Sequence, residues 1–353
     1  MLQAEDGALS ASHLPPRHDA FDSFATLVKA EGTMNFLITG ARGFVGRRLL
    51  DVLAASGHCG IASGRQAPTH VPAGWLGAQR SALLGGNGGG KDSDAIVHLE
   101  VKQHSPQPTP SDIEGFQTVN VGGTRQWLEW ATQNGIKRFV FISSIKAIAP
   151  SQAPQLEHAP LEPDTPYGRS KADAEQAVQA WAQADAARMA VILRPAPVYG
   201  PGNEANLAAF VRRIMLGKPC LVGRGTTKKS VCALNNLTAA IAFTARRAEP
   251  GCWVLNVSDR ETLSLGELAT LIAEVAGAPR PRHISAALAH CIAPLGDLIT
   301  SLSTIDFPLT TARLKAITET SIFPCDKLIS AGFHHPCTTR EGLGEMLAWM
   351  RTL

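Results

Sequence analysis

From Asn35 onward, short apolar or β-branched runs alternate with segments whose apolar residues recur at helical spacing. The runs Asn35 to Thr39, Gly60 to Ser63, Ala95 to Leu99, Arg138 to Ile142 and Met189 to Leu193 predict strands. Helix-length segments separate most of them, and Phe44 to Ala55 has an amphipathic pattern. Strand, helix and strand in repeated order predicts an α/β protein built on a doubly wound parallel sheet. Its ligand crevice then lies beyond the carboxyl ends of the strands. The run Gly85 to Gly90 (GGNGGG) falls where a third strand and its helix are expected, and it predicts only a flexible loop. After Tyr199 the alternation loosens, with Pro and Gly punctuation and predicted helices at Ser264 to Ala276 and Thr339 to Met350. This marks a smaller C-terminal lobe. The apolar stretch Ala286 to Leu302, broken by His290, Pro294 and Asp297, predicts a core helix of that lobe rather than a membrane span.

Composition narrows the class. With 353 residues and 44% hydrophobic content the chain can bury a large core. Lys plus Arg total 33 against 30 Asp plus Glu, interspersed, so no basic stripe marks a nucleic-acid partner. Seven cysteines without CxxC spacing point to free thiols in a reducing compartment, hence the cytoplasm. Residues 1–33 carry Glu5 and Asp6, lack the apolar core of a secretory signal and precede a second methionine, Met34; they are expected to form a loosely ordered extension. His334, His335 and Cys337 are the one metal-like cluster, and adjacent histidines project in different directions, so no metal site is expected.

The first strand runs into Gly40-Ala-Arg-Gly43-Phe-Val-Gly46 and then into the amphipathic helix. Glycines at this spacing let the backbone approach a pyrophosphate, and the helix amino terminus offers free N–H groups to it. Gly40, Arg42, Gly43, Phe44, Val45 and Gly46 are therefore cofactor-binding candidates for a dinucleotide. An acid at the end of the second strand would bind a free ribose 2′-hydroxyl, but this strand ends Ser63-Gly64-Arg65. Arg65 and Arg42 suit a 2′-phosphate instead, which favours NADP over NAD.

The pattern Tyr167-Gly-Arg-Ser-Lys171 opens a helix introduced by Pro166, and a spacing of four places phenol and ammonium on one face. The neighbouring cation is expected to lower the phenol pKa, so that Tyr167 can exchange a proton with a substrate hydroxyl while hydride moves at the carbon. Ser144 ends the predicted strand 23 residues upstream and would hydrogen-bond the reacting oxygen. Ser144, Tyr167 and Lys171 are thus the catalytic candidates.

With His98-Leu99 at a strand end, Asn120-Val-Gly-Gly-Thr124 opening a helix, and Leu193-Arg-Pro195-Ala-Pro-Val-Tyr-Gly, these motifs fall in the order found in the extended short-chain dehydrogenases. From Met34 to Leu353 the chain resembles that family, the NAD-dependent epimerases and dehydratases, and most closely its sugar-nucleotide 4-epimerase and 4-ketoreductase branch. The resemblance implies a Rossmann fold over 34–200, with 225–260 returning to it, and a substrate lobe from 201–224 and 261–353. It also implies an NAD(P) cofactor touched by Leu99, Asn120, Tyr167, Lys171 and Pro195, and a small-molecule nucleotide (UDP-) sugar as substrate. Ser144, Asn206, Lys229 and Arg313 would hold that sugar and its diphosphate, and a homodimer would pair through the helices near Asn120 to Asn134 and Tyr167 to Ala184. Departures are visible: Glu100-Val101 brings a charge near the cofactor, and Trp75 to Gly77 lacks the acid that often meets the adenine. Ile145 and Lys146 stand where dehydratases carry an Asp-Glu pair, which argues against 4,6-dehydration. Epimerase and 4-ketoreductase are not separated by these residues. A reductase of steroid- or flavonoid-type ketones, or a non-catalytic NAD(P)-binding sensor, are the alternatives.

Overall fold

A computed structural model of the chain describes residues 32–103, 108–204, 206–247, 249–302, 307 and 309–353. All but the last two residues of the expected extension 1–33 lie outside that set. Seven parallel strands form the central sheet: β1 (Asn35–Thr39), β2 (Cys59–Gly64), β3 (Trp75–Gln79), β4 (Ala95–His98), β5 (Arg138–Ile142), β6 (Met189–Pro195) and β7 (Gly251–Val257). Their order is β7-β6-β5-β4-β1-β2-β3. The order reverses between β1 and β4, which opens a crevice at their carboxyl ends.

Period-two alternation along the strands builds two cores. Phe36, Ile38, Val140, Val191 and Leu193 face one side, which is covered by α1 (Phe44–Ala55) and by the helix Leu234–Ala245. Leu37, Phe139, Phe141, Ala190 and Ile192 face the other, beneath α2 (Gly123–Gln133) and α3 (Pro166–Gln183), whose Trp127, Trp130, Val178 and Trp181 fill it.

Two expectations are corrected here. The third strand is not displaced by the glycine run: it is Trp75–Gln79, followed by a short helix, Arg80–Leu84, and the glycines come after both. With Leu76 69% exposed on a sheet edge, this strand has too little apolar alternation to announce itself. The seventh strand, Gly251–Val257, was also missed, because its cue is pairing with β6 rather than local pattern.

A third core, from Tyr199, Val211, Ile214, Leu268, Ile272, Leu343 and Leu347, belongs to the C-terminal part. One carboxylate ties it to the sheet. Buried Asp259 accepts hydrogen bonds from the Tyr199 hydroxyl (2.8 Å), the Thr339 hydroxyl (3.1 Å), the Asn236 amide (2.8 Å) and the Ala233 N–H (2.8 Å). Helix α4 (Ala286–Leu302) departs from the core role expected of it. Ala289 and Ala293 pack inward on Leu314 of α5 (Thr311–Thr318), and Leu288, Leu295 and Leu298 lie exposed.

The second internal charge lies under the sheet ends. Glu175 of α3 and Arg194 of β6, 0% and 2% exposed in their side chains, pair at 2.7 Å, with Arg194 Nε also donating to the same carboxylate. Removing one member of a buried pair strands the other charge. Arg194→Met should therefore lower unfolding stability by about 3–5 kcal/mol, seen as a reduced urea midpoint, and adding Glu175→Leu should restore most of it. A midpoint unchanged by Arg194→Met would refute this account.

Candidate active site

The turn after β1 is shaped by contacts that no side chain can share. Gly40 has φ +68°, and a Cβ there would lie 2.8 Å from the Glu100 nitrogen and the Leu99 carbonyl carbon. A Cβ on Gly46 would lie 2.6 Å from the Gly40 oxygen. The close approach brings the ends of β1 and β4 together and leaves the turn open toward the crevice. Gly43 is the N-cap of α1, no side chain caps that helix, and its first turn holds no acid. This cradle fits a pyrophosphate. Val45 packs against the core, and Phe44 lies beside Gly202.

Around the end of β2 the polar groups are cationic or neutral. Arg42 is exposed and donates to Gln66 Oε1 at 2.8 Å, and exposed Arg65 follows Gly64. Glu100, expected to bring its charge to the cofactor, is instead drawn aside. Its carboxylate accepts from Arg80 Nε (3.0 Å) and Trp127 Nε1 (3.1 Å). An arginine just past β3 is the physical reason, and its relation to Glu100 is invisible in linear sequence.

His98 bridges the strand ends from within. One ring nitrogen meets the Thr39 hydroxyl (2.7 Å) and the other the Thr124 hydroxyl (3.1 Å), and complete burial lowers its pKa to about 3. Leu99 follows it, its N–H donating to the Thr39 carbonyl. Asn120 does not open a regular α-helix. It lies in a π-helical segment, Phe116–Gly122, ahead of α2. Its amide accepts from the Lys102 N–H (2.7 Å) and donates to the Ser170 hydroxyl (2.9 Å), locking α3 to the segment after β4. A π turn of this kind often marks a functional site. Pro195 is buried at the end of β6, paired with Val257.

Ser144, Tyr167 and Lys171 come together where β5 ends. Thr165 caps α3 by accepting from the Gly168 N–H (3.1 Å), and Pro166 occupies its first position, so the helix begins with Tyr167 in its first turn. Ser144 hydrogen-bonds to the Tyr167 hydroxyl, and the Phe116 ring meets the Tyr167 ring edge-on at 5.8 Å. Lys171 Nζ donates to the Ile142 carbonyl at 2.7 Å and lies 4.8 Å from the Phe141 ring centroid. The lowered phenol pKa expected from sequence is not what this pocket produces. Burial pushes Tyr167 up to about 12, against the smaller opposing effect of Ser144. The same burial pushes Lys171 down to about 7, although the Glu175 carboxylate one turn away opposes it.

Behind this trio lies a group that motif spacing did not reveal. Glu175 also accepts a hydrogen bond from the Ser143 hydroxyl at 2.5 Å, next to Ser144. The available signal was its place four residues beyond Lys171, on the same helix face.

Of the substrate candidates, Lys229 is half-buried and donates to the Glu319 carbonyl, and Lys146, two residues past Ser144, lies close enough to help depress its pKa after burial. Lys146 was noticed in the sequence only as a missing acid. Arg313 stands in the first turn of α5, six residues before Glu319, and donates to the Phe307 carbonyl. The side chain of Asn206 lies outside the described residues. Among those residues, no group of three or more His, Cys, Asp or Glu could hold a metal ion.

A family model described as the NAD dependent epimerase/dehydratase family matches residues 36–257. The chain is 28% identical, over 89% of its length and 95% of the relative's, to an N-acetyl-alpha-D-glucosaminyl-diphospho-ditrans,octacis-undecaprenol 4-epimerase from Escherichia coli O157:H7. It is 32% identical to a UDP-glucose 4-epimerase from Vibrio cholerae, over 50% of this chain and 56% of that one. In fold it resembles MoeE5 in complex with UDP-glucose and NAD, with a TM-score of 0.69, 24% identity, and coverage of 90% of this chain and 99% of the other. With its glycine cradle, its Ser-Tyr-Lys cluster and these relatives, the chain belongs to the NAD-dependent epimerase/dehydratase family.

Proposed function

We propose that this protein is a 4-epimerase, acting at carbon 4 of a sugar carried on a diphosphate, with a UDP-sugar as its soluble substrate. The observation that carries the reading is the meeting of Ser144, Tyr167 and Lys171 beside β5, with the dinucleotide cradle two strands away across β4. Lys146 and Lys229 add positive charge on the substrate side, which suits a diphosphate better than an apolar ketone. The proposal treats 34–200 with 225–260 as the cofactor part and the remainder from 201 as the substrate part.

A dinucleotide held by the Gly40 to Gly46 turn would supply the acceptor and donor of the carbon 4 hydride. Tyr167 takes the proton of the carbon 4 hydroxyl as that bond to hydrogen breaks, and Ser144 holds the oxygen by a hydrogen bond. Lys171, one helical turn from Tyr167, favours the phenolate by its charge. After the 4-keto sugar has presented its opposite face, Tyr167 gives the proton back, so the cycle has no net oxidation. A reductase would run only the returning half, on a 4-keto sugar, and consume reduced cofactor.

The sugar's carrier has a second reading. The relative from Escherichia coli O157:H7, similar along nearly the whole chain, is named for a sugar joined through a diphosphate to undecaprenol. The Lys146 and Lys229 pair suits that diphosphate equally well. For the cofactor, the arginines near β2 and the lack of a carboxylate in Ser63 to Gln66 support NADP.

Tyr167→Phe should reduce interconversion of UDP-sugar 4-epimers at least about 100-fold while leaving nucleotide binding intact, as measured by product NMR and cofactor fluorescence. Undiminished turnover would refute the proposed proton exchange. Arg42→Ala with Arg65→Ala should weaken NADPH binding about tenfold or more relative to NADH, and equal losses for both would eliminate the 2′-phosphate reading. Burial also predicts a pH signature for Lys171. Its pKa is about 7 folded and near 10.5 unfolded, so across that window the unfolded chain holds a proton that the folded chain has lost, and stability rises with pH. Lys171→Met should therefore melt above the parent at pH 6, with the advantage shrinking by pH 9 or 10; a constant gap would contradict the buried charge.

A further inference from the structure

Helix α4 is arranged inside out. Its small residues, Ala289 and Ala293, are buried, and a Cβ on Gly296 would lie 2.1 Å from the Leu309 oxygen, so this face abuts the protein. Leu288, Leu295 and Leu298 are 50%, 58% and 54% exposed. Positions 288, 291, 295 and 298 follow the i, i+3, i+7, i+10 spacing of a single helix face, and all four are exposed. Leucines placed on water while alanines fill the core reverse the usual partition, so the row marks a contact surface.

Charge around the row identifies what it contacts. Arg280 and Arg282 precede the helix, are exposed, and form no ion pair among the described residues; His283 and His290 are exposed as well. The helix itself carries one acid, Asp297, whose carboxylate accepts from the Thr311 N–H and hydroxyl. An exposed apolar face that follows exposed Arg280 and Arg282 along the chain is complementary to an anionic bilayer surface, into which an in-plane helix sinks its leucines. No helix among the described residues is long and apolar enough to cross a membrane, and a 17-residue helix about 25 Å long lying in the surface needs no crossing.

The row is joined to the active site. Helix α5, held against α4 by Leu314, ends at Glu319, whose carbonyl accepts from Lys229. Lys229 is thereby tied to the helix pair that carries the apolar row.

We propose that α4 is a membrane-surface docking helix, which brings the active site to a sugar whose diphosphate is carried by a bilayer-embedded polyprenol. This rests on the lipid-carrier reading above. The test is co-sedimentation of the full chain with vesicles of phosphatidylcholine containing phosphatidylglycerol, and of phosphatidylcholine alone. The parent should pellet with the anionic vesicles and less with the neutral ones, and Leu288→Asp with Leu295→Asp should lose about tenfold or more of that binding. Because both leucines are half exposed, this variant should keep cofactor binding and turnover of a UDP-sugar, while losing turnover of a polyprenyl-diphospho-sugar embedded in the same vesicles. Leu295→Ser alone provides a milder version with the same direction. Three results would overturn the proposal: a parent that stays in the supernatant, a double variant that pellets like the parent, or a parent dimer that the double variant splits, which would make the row an interface between copies. If the vesicles are bound but no diphospho-sugar on either carrier is epimerised, the docking surface stands and the catalytic reading falls.

Discussion

The interaction on which the active site depends is made by a carboxylate with no access to water. Glu175 receives Arg194 from β6 and the Ser143 hydroxyl from the end of β5, so it joins three elements that are remote in sequence. A buried carboxylate tolerates little displacement, because every lost hydrogen bond exposes desolvated charge. The helix that carries Glu175 also carries Tyr167 and Lys171, and the residue after Ser143 is Ser144. Fixing this one group therefore fixes Ser144, Tyr167 and Lys171 relative to one another. Asn120 completes the restraint from the other flank by holding Ser170 to the segment after β4.

Burial then sets the chemistry. The pocket that orders phenol and ammonium also removes them from solvent, and it moves their proton affinities in opposite directions, up for Tyr167 and down for Lys171. Both shifts favour the neutral forms. Positive charge is needed to make Tyr167 a base, and protonated Lys171, one helical turn away, would supply it.

Much of this was legible in the chain. Five strands, the first helix and the helices at 264–276 and 339–350 follow from periodicity, and the glycine triplet and Tyr167–Lys171 spacing place the two halves of the site. What escaped depends on partners distant in sequence. Glu100 looked like a charge for the crevice until Arg80 and Trp127 claimed it. The phenol pKa was expected to fall because a cation was adjacent, but the depth of the pocket, which no spacing encodes, raises it against the opposing hydrogen bond of Ser144. The stretch 286–302 has core composition, and which of its faces turns inward is decided by Gly296 and the two alanines, not by hydrophobicity.

His98 closes the account in an unexpected way. An imidazole joined on both edges to threonine hydroxyls and acquiring a proton only near pH 3 is electrically silent throughout the range in which enzymes work. The seam between the first and fourth strands consequently keeps its bonding pattern from mildly acidic to alkaline solution. An inflection found near neutrality would then not arise from the imidazole at the strand ends.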